Sequence, residues 1–260
     1  MATIFDGRAF AEKKILKLDK EVTKLKNQGI HPKLASILVG EDPASLLYVS
    51  LKKKKAKEIG AEMDVYYLKE KEPLENILTL INTLNFDSTV HGIMVQLPLP
   101  LAIKPQTLTI IDSIKREKDV DGLRENSPFV HPTAMAILQV IGEAIKQLKI
   151  NNLRLSICIV GRSGMAGSAF LREIKSTDLK LVDNSEDADI LVSATGSPNI
   201  IKANMVKRGA IVIDVGSPKG DVDPEASKEA EFVTPVPGGI GPITISCLLE
   251  NLIVSAGKVC

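Results

Sequence analysis

Apolar and polar positions follow two periods along this chain, one typical of helices and one typical of strands. Ala11, Ile15, Leu18, Val22 and Leu25 recur at spacings of three and four, which predicts an amphipathic helix that ends near Gly29. Continuous or alternating apolar runs predict strands at 33–39, 63–67, 90–97, 154–160, 179–182, 188–194 and 210–214. Further helices are predicted at 43–60, 74–84, 104–116 and 132–148, after a glycine-rich turn at 161–167, and at 243–255. Strands that alternate with helices predict an α/β fold with mainly parallel sheets.

The segment that begins at Asp42 carries the first candidate chemistry. Asp42 can accept a bond from a free backbone N–H and Pro43 suits a first helical position, so a helix is predicted to start here, directly after a strand. Tyr48 and Lys52 are one helical turn apart and project from the same face. At the carboxyl edge of an α/β sheet, where ligands bind, a lysine whose pKa is lowered by burial can move protons. The alternative is a solvated helix, because lysines follow at 53, 54, 55 and 57.

Two further polar side chains are candidates for the same region. Gln96 ends an apolar run and precedes Pro98 and Pro100, which cannot continue a central strand, so Gln96 is predicted at the carboxyl edge of the sheet. Asp121 belongs to an Asp-Gly turn that presents a carboxylate. For Gln96 the alternative is a buried amide satisfied by the backbone of the turn. For Asp121 the alternative is a residue that serves only the turn itself.

A glycine-rich turn with glycines at 161, 164 and 167 follows the strand at 154–160 and precedes a helix. Backbone N–H groups at a helix N-terminus bind pyrophosphate in this context. Ser163 stands where the usual dinucleotide fingerprint has its middle glycine, so a tight turn that binds nothing is the alternative. Glycine-bearing loops after the strands at 188–194 and 210–214 favour a cofactor crevice, because glycine lets a ligand approach the backbone closely.

Composition narrows the functional classes. Lys and Arg number 33 against 32 Asp and Glu, so charge does not favour nucleic-acid or membrane binding. Trp is absent and aromatic residues make up 3%, which argues against a base-stacking surface. The cysteines at 158, 247 and 260 and the histidines at 31, 91 and 131 are scattered, so we expect reduced thiols and no metal site. Without an evident signal peptide or an apolar run of ~20 residues, the chain is predicted to be soluble and cytoplasmic.

Taken together, these motifs resemble those of the bifunctional methylenetetrahydrofolate dehydrogenase/cyclohydrolase family. The matching pieces cover nearly the whole chain in family order; they are Pro43-Ala44-Ser45 with Tyr48 and Lys52, Gly92 to Pro100, Lys118 to Gly122, Gly161-Arg162-Ser163 with Gly167, Ile213 to Gly216, Gly220 to Val222 and Pro235 to Pro242. The resemblance implies a folate-binding catalytic domain over 1–130, joined by a C-terminal helix at 243–260, and a Rossmann-like dinucleotide-binding domain over 131–242. It also implies that the two domains flank a cleft and that the protein is a homodimer.

The resemblance assigns a role to each candidate residue. Lys52 matches the catalytic lysine of the family, Tyr48 positions the folate, Gln96 tunes the lysine and Asp121 holds the pterin. The turn residues Pro237, Gly238 and Gly239 match a substrate-binding position. Gly161, Arg162, Ser163, Ser185 and Ser217 fall where the family contacts the nicotinamide dinucleotide. The implied reactions of one-carbon metabolism are oxidation of methylene-tetrahydrofolate by NADP and hydration of the methenyl product to 10-formyl-tetrahydrofolate. The lysines at 52–57 are also candidates for attracting the glutamate tail of folate.

The chain departs from the family beside the predicted folate site. Only residues 123–129 remain where the family has a longer loop with a His-Pro and an Asn-x-Gly pattern. His131-Pro132-Thr133-Ala134 also replaces the family's Pro-Cys-Thr-Pro. Because both changes affect the rim of the substrate cleft, a dehydrogenase without cyclohydrolase activity is an alternative.

A third departure concerns the cofactor, because the segment at 183–188 is shorter than in the family. Arg162 and Ser185 suit the ribose phosphate of NADP. Asp183 lies ~20 residues past the glycine turn, where a carboxylate favours the free ribose hydroxyl of NAD. We predict NADP, with NAD as the alternative.

Two other protein classes share single features with this sequence. A cofactor-sensing protein that binds a dinucleotide without turnover is disfavoured by the presence of Tyr48, Lys52, Gln96 and Asp121 together. A Tyr-x-x-x-Lys pair is also found in short-chain dehydrogenases, but there the pair follows the glycine turn, whereas here it precedes it.

Overall fold

Two parallel sheets organise the chain. The structure is a computed structural model that describes residues 2–151 and 154–258. The predicted thiol of Cys260 and the last two residues of the predicted segment 243–260 therefore lie outside the described residues. The chain divides into two compact units, which we name after their sheets: the three-stranded unit (13–132 and 248–260) and the six-stranded unit (1–12 and 133–247). Every strand pair that the structure describes is parallel, so the predicted α/β class is confirmed.

In the three-stranded unit, β2 (Lys33–Val39) lies between β3 (Glu62–Leu68) and β4 (Gly92–Val95). All residues of β2 after Lys33 are buried, as expected for a central strand whose sequence is almost entirely apolar. The helices of this half of the chain are α1 (Gly7–Asn27), α2 (Pro43–Glu58), α3 (Leu74–Phe86) and α4 (Thr107–Asp112). Apolar side chains of β2, β4, α3 and α4 form one core cluster.

The helix α2 begins as the sequence predicts. Asp42 Oδ2 accepts a hydrogen bond from the backbone N–H of Ser45 at 2.7 Å, and Pro43 is the first helical residue. The helix ends before Gly60, whose φ of +74° is the left-handed conformation that glycine adopts without strain. The buried stripe of α2 consists of Ser45, Val49, Lys52 and Ala56. This spacing places Lys52 on the inner face of the helix, whereas the predicted alternative was a solvated lysine.

In the six-stranded unit, the strand order is β1-β9-β8-β7-β5-β6. The strands are β1 (Thr3–Ile4), β5 (Ser156–Val160), β6 (Lys180–Leu181), β7 (Ile190–Ser193), β8 (Ile211–Asp214) and β9 (Phe232–Val233). The helices of this half of the chain are α5 (Pro132–Gln147), α6 (Met165–Ile174) and α7 (Ile240–Gly257), and the residues of α7 from 248 onwards belong to the three-stranded unit. From β5 the chain proceeds first to β6 on one side and then to β7 on the other. This reversal is a topological switch point, and ligands of doubly wound folds bind outside the carboxyl ends of the strands at such a point.

The single helix predicted at 104–116 is wrong. The chain forms a 3₁₀ turn at Lys104–Gln106, the short helix α4, and a second 3₁₀ turn at Arg116–Lys118. The side chain of Asn85 explains the interruption: its Nδ2 donates to the carbonyl of Ser113 at 2.7 Å and its Oδ1 accepts the N–H of Lys115 at 2.8 Å. The carbonyl of Ser113 and the N–H of Lys115 therefore have hydrogen-bond partners in the Asn85 side chain and need no partner within a helix.

The ends of the six-stranded unit also differ from prediction. The strands β1 and β9 were not predicted, since two residues each are too few to show a period. The last helix begins at Ile240 instead of 243, and Gly241 and Pro242 lie in its first turn. Proline is tolerated there because the N–H groups of a first helical turn have no partner within the helix.

Within the described residues, α7 is the one helix that is long and apolar enough to cross a membrane by length and composition. However, 67% of its apolar window is buried within the protein. Its polar side chains also bond to the protein backbone: Asn251 Nδ2 donates to the carbonyls of Val120 and Val130, and Ser255 Oγ donates to the carbonyl of His91. These contacts are typical of a helix in the core of a soluble protein.

Gly142 offers a test of the helical propensity of α5. A Cβ atom built at this exposed position meets no atom within 4 Å. Since glycine costs about 0.5–1 kcal/mol relative to alanine in a helix interior, we expect Gly142→Ala to raise the free energy of unfolding by that amount. Urea denaturation followed by circular dichroism measures the change, and a loss of stability would show that α5 does not tolerate the added methyl group.

Candidate functional site

Lys52 is buried at the edge of the three-stranded sheet, with 8% of its surface exposed. Its Nζ donates a hydrogen bond to Oε1 of Gln96 at 2.9 Å and lies 3.8 Å from Sδ of Met94. Burial lowers the pKa of Lys52 from the ordinary value of a lysine, and the negative charge of Asp121 partly opposes this shift. A larger fraction of this amine is therefore uncharged at neutral pH than of a solvated lysine, so it is suited to accept a proton.

Gln96 fixes the position of the amine. Its backbone N–H continues the sheet ladder to the carbonyl of Ile37 at 2.8 Å, directly after the end of β4. Its side-chain Nε2 donates to the carbonyl of Leu97 at 2.7 Å, which leaves Oε1 directed at Lys52. The sequence left two interpretations of Gln96, a partner of the lysine and a buried amide satisfied by the turn. Both hold, since Nε2 bonds to the backbone of the turn and Oε1 bonds to Lys52.

Tyr48 and Asp121 lie beside this pair. Tyr48 is partly buried on the preceding turn of α2, and Asp121 is partly buried in the turn after the 3₁₀ turn at Arg116–Lys118. The carboxylate of Asp121 is close enough to Lys52 to act on its pKa. The structure thus brings Lys52, Gln96 and Asp121 together and places Tyr48 one helical turn away.

A second carboxylate, Asp119, was not predicted from the sequence. Its side chain is only 1% exposed and accepts backbone N–H bonds from Arg124 at 3.0 Å and Leu123 at 3.4 Å. The N–H of Gly122 also donates to the carbonyl of Asp119 at 3.0 Å. These bonds hold both sides of Asp121, so Asp119 is a positioning residue for that carboxylate. The feature of the sequence that could have indicated this role is the position of Asp119, two residues before Asp121 and outside the Asp-Gly pair of the turn.

Side chains of the shortened loop at 123–129 bond to backbone carbonyls that precede the loop. The Nη1 atom of Arg124 donates to the carbonyls of Asp112 and Ile114, and Ser127 Oγ donates to the carbonyl of Asp119 at 3.2 Å. Gly122, with φ of +62°, packs so closely under this loop that a Cβ atom would lie 2.6 Å from the carbonyl oxygen of Phe129. The loop at 123–129, although short, is thus held in place next to Asp121.

Burial raises the pKa of Asp119 to about 6, and Asp121 adds to this shift, although the N–H bonds oppose it. Because the folded chain keeps this proton to a higher pH than the unfolded chain does, ionised Asp119 costs about 3 kcal/mol of stability above its folded pKa. This destabilisation is lost as the pH falls towards the ordinary pKa of an aspartate, because Asp119 is then protonated in the folded protein. We expect the free energy of unfolding to rise by about 2 kcal/mol between about pH 7.5 and about pH 4.5, relative to the Asp119→Asn variant. Denaturation of both proteins at the two pH values measures this, and parallel pH profiles would contradict it.

In the six-stranded unit, the glycine turn after β5 is packed against two neighbours. Gly161 has φ of +86°, and a Cβ atom there would lie 2.5 Å from the carbonyl oxygen of Ala194. A Cβ atom at Gly167 would lie 2.3 Å from the carbonyl oxygen of Gly161. The turn therefore brings the N-terminus of the ten-residue helix α6 to the carboxyl end of β5, at the switch point of the sheet. Such a helix start suits a pyrophosphate group.

Two buried carboxylates fix the neighbouring loops. Asp214, at the end of β8, accepts N–H bonds from Gly216, Asp221 and Val222 at 2.8–3.0 Å. Asp221 Oδ2 accepts bonds from Ser193 Oγ at 2.9 Å and from the N–H of Thr195 at 2.7 Å. Burial raises the pKa of Asp214, because its charged form is desolvated. The sequence contributed both residues only as family matches and did not predict their role in holding the loops after β7 and β8.

The other predicted cofactor residues lie at the same edge of this sheet. Arg162 and Ser163 are exposed in the glycine turn, Ser185 is partly buried after β6, and Ser217 is exposed after β8. Arg162 is not isolated, since its Nη1 forms an ion pair with Asp183 Oδ1 at 3.0 Å. The turn of Pro237, Gly238 and Gly239 belongs to the same unit and immediately precedes α7.

Neither Cys158 nor Cys247 forms a disulfide, in agreement with the predicted thiols. Within residues 2–151 and 154–258, no group of three or more His, Cys, Asp or Glu side chains is arranged to hold a metal ion.

Comparison with known proteins identifies the family. Residues 5–121 match the model of the tetrahydrofolate dehydrogenase/cyclohydrolase catalytic domain, and residues 132–259 match that of its NAD(P)-binding domain. The chain is 42% identical to the bifunctional protein FolD of Exiguobacterium sibiricum, over 98% of this chain and 100% of the relative. It is 39% identical to FolD of Geotalea daltonii, over 99% and 100% of the two chains.

Two solved structures are similar over almost the full length. The bifunctional FolD enzyme of Campylobacter jejuni matches with a TM-score of 0.88 and 35% identity, over 99% of both chains. The FolD of Trypanosoma brucei, solved in complex with NADP cofactor and an inhibitor, matches with a TM-score of 0.87 and 30% identity, over 99% of this chain and 98% of that one. The resemblance found in the sequence is thereby confirmed: the chain belongs to the tetrahydrofolate dehydrogenase/cyclohydrolase family.

Proposed function

We propose that this protein oxidises methylene-tetrahydrofolate to methenyl-tetrahydrofolate with NADP and then hydrates the product to 10-formyl-tetrahydrofolate. Membership of the family supports both steps. The observation that carries the proposal is the buried contact between Lys52 and Gln96, at 2.9 Å, beside Asp121. Burial lowers the pKa of this amine, and such a group is expected where a proton must be moved.

In the hydration step, a water molecule adds to the positively charged methenyl carbon. The water gives up two protons: one ends on the folate nitrogen that leaves this carbon, and the other is released. The uncharged form of Lys52, which the lowered pKa favours, is the base that accepts a proton from the water, and its charged form is the acid that returns it to the leaving nitrogen. Gln96 holds the amine in place. Asp121 binds the pterin, and Tyr48 limits the movement of the ring.

In the oxidation step, bound NADP supplies an acceptor for the hydride. The donors in the six-stranded unit fit this group: the N-terminus of α6 suits the pyrophosphate, and the Arg162 guanidinium with the hydroxyls of Ser163, Ser185 and Ser217 suits phosphate and ribose oxygens. Asp214 and Asp221 keep the loops in place through buried hydrogen bonds, so fewer degrees of freedom are lost when the cofactor binds. Hydride transfer needs chiefly alignment, which ordered loops supply.

Assaying the two steps separately on the purified protein tests the proposal. We expect methylene-tetrahydrofolate to be oxidised with NADP and methenyl-tetrahydrofolate to disappear faster with enzyme than without it. The trimmed rim at 123–129 is the specific reason to examine the second step by itself. Oxidation without accelerated hydration would identify a dehydrogenase alone, and dinucleotide binding without either reaction would identify a non-catalytic binding protein.

The finer organisation belongs to the same proposal. The three-stranded unit, which corresponds to most of the predicted domain 1–130 and part of 243–260, binds the folate, and the six-stranded unit binds the dinucleotide. The turn of Pro237, Gly238 and Gly239 contacts the substrate. The protein acts as a cytoplasmic homodimer, as the family resemblance implies. It has no nucleic-acid or membrane partner, and the balanced charge supports this second point. Light scattering in solution should therefore give twice the mass of one chain.

A further inference from the structure

The residues that meet at the carboxyl ends of β5 and β6 bear on the choice between NADP and NAD. Arg162 lies two residues after the end of β5, and Asp183 lies two residues after the end of β6, the neighbouring strand. The N–H of Val182 bonds to the carbonyl of Ile157 at 2.9 Å, and Cys158 Sγ donates to the carbonyl of Asp183 at 3.4 Å. The backbone of Asp183 is therefore held at the sheet edge next to the glycine turn.

These two side chains favour opposite ligands. In doubly wound folds, a carboxylate after the second strand binds the ribose 2′-hydroxyl of NAD, whereas an arginine nearby accommodates the 2′-phosphate of NADP. This chain has both, 21 positions apart, and they form an ion pair at 3.0 Å. Both side chains are largely exposed, at 52% and 84%, so the pair adds little stability and can open when a ligand binds. A phosphate that takes Arg162 must then lie beside the carboxylate that it displaces.

The acidic residues that follow Asp183 add to the repulsion of a bound 2′-phosphate. Residues 183–189 contain four acidic side chains and neither lysine nor arginine. One of them, Asp189, is paired with Lys207 at 2.7 Å, which leaves Asp183, Glu186 and Asp187 around Ser185. The segment that carries Ser185 therefore adds negative charge close to a 2′-phosphate bound there.

We infer that Asp183 is a specificity-determining residue: by pairing with Arg162 it weakens recognition of the 2′-phosphate of NADP and allows NAD to compete for the same site. The inference rests on the proposed dinucleotide-binding function and adds to it. A free ribose hydroxyl donates to Asp183 and leaves the ion pair intact, whereas a phosphate opens the pair and is repelled by the carboxylate.

Binding of NADPH and NADH to the whole protein, measured by titration calorimetry at an ionic strength of about 0.15 M, where the Debye length is about 8 Å, tests this without turnover. In Asp183→Asn, we expect the ratio of NADPH to NADH affinity to rise about tenfold, a change of ~1.4 kcal/mol. Glu186→Gln is the matched control, because it removes the same charge from the same segment without touching the ion pair. We expect this control to change the ratio by less than about threefold, since exposed charges at a distance are screened.

A double-mutant cycle with Arg162→Gln separates the pair from general charge effects. If the pair contributes, Asp183→Asn raises the ratio less in the Arg162→Gln background than in the wild type, and the difference measures the coupling between the two residues. An unchanged ratio in Asp183→Asn, or an equal rise in Glu186→Gln, would overturn the inference while leaving the proposed function intact. Failure of the wild type to bind either dinucleotide would overturn both.

Discussion

Replacement of Lys52 by methionine is expected to abolish hydration of methenyl-tetrahydrofolate and to lower turnover in the oxidation step severely. Loss of a positioned acid and base lowers a rate by about 10²–10⁴-fold. Methionine keeps the length and apolar stem of the side chain but cannot take up a proton. The rate of disappearance of the methenyl compound, corrected for the reaction without enzyme, measures the effect.

The fold of the Lys52→Met protein should remain intact. The wild-type amine is buried with a lowered pKa, so its removal relieves a desolvation cost that offsets the loss of its hydrogen bond to Oε1 of Gln96. Lys53→Met is the matched control, because Lys53 is the next residue of α2 and is exposed. We expect Lys53→Met to keep the kcat of both reactions, because a lysine that attracts only the glutamate tail of folate affects KM. Normal hydration by a correctly folded Lys52→Met protein would remove this lysine from the mechanism.

The second large effect is expected at the glycine turn of the six-stranded unit. Alanine at Gly161 would combine a left-handed φ of +86° with a Cβ atom 2.5 Å from the backbone oxygen of Ala194. The strain of the conformation and the overpacking together are expected to cost about 2–4 kcal/mol of stability. Since the turn must shift to relieve the contact, we also expect dinucleotide affinity to fall by at least about tenfold, or ~1.4 kcal/mol. Urea denaturation and titration with NADPH measure the two effects.

Gly209→Ala provides the matched control for Gly161→Ala. Gly209 has a similar φ of +81°, but the nearest atom to its added Cβ would be 3.9 Å away. This variant should show only the conformational cost of about 1–2 kcal/mol and normal NADPH binding. Equal losses in the two variants would mean that the close contact with Ala194 has no role in shaping the cofactor site.

Much of the fold could be predicted because local signals agreed with the tertiary structure. The start of α2 depends on Asp42 and Pro43, which act within one turn, and the predicted bounds of β2 match the observed strand. Where a distant residue decides the backbone, the sequence pattern failed. The helix predicted at 104–116 is interrupted by Asn85, which lies 28 positions from Ser113 and leaves no trace in the periodicity of the segment.

For the candidate site, too, features set by nearby residues could be predicted and features set by distant residues could not. Tyr48 and Lys52 could be placed on one face from helical spacing, and Gln96 at a strand end from the prolines that follow. Lys52 and Gln96 are 44 positions apart, and the carboxyl edge of one parallel sheet predicted that they lie in the same region, whereas the role of Gln96 in tuning the lysine came from the family resemblance. Asp119, Asp214 and Asp221 were missed as positioning residues because their partners are backbone N–H groups, and backbone groups carry no mark in a sequence. The ion pair of Arg162 with Asp183 was missed because each residue was considered only for its own ligand.

The proposed mechanism depends most on the protonation of one amine, that of Lys52. The pKa of Lys52 can be measured directly by nuclear magnetic resonance of the lysine side chains across a pH titration, with assignment through Lys52→Met and comparison with exposed Lys53. We predict that Lys52 titrates well below Lys53, because burial disfavours its charge. Titration of Lys52 together with the exposed lysines would contradict the account, since a fully charged amine at neutral pH could not accept the proton that hydration releases.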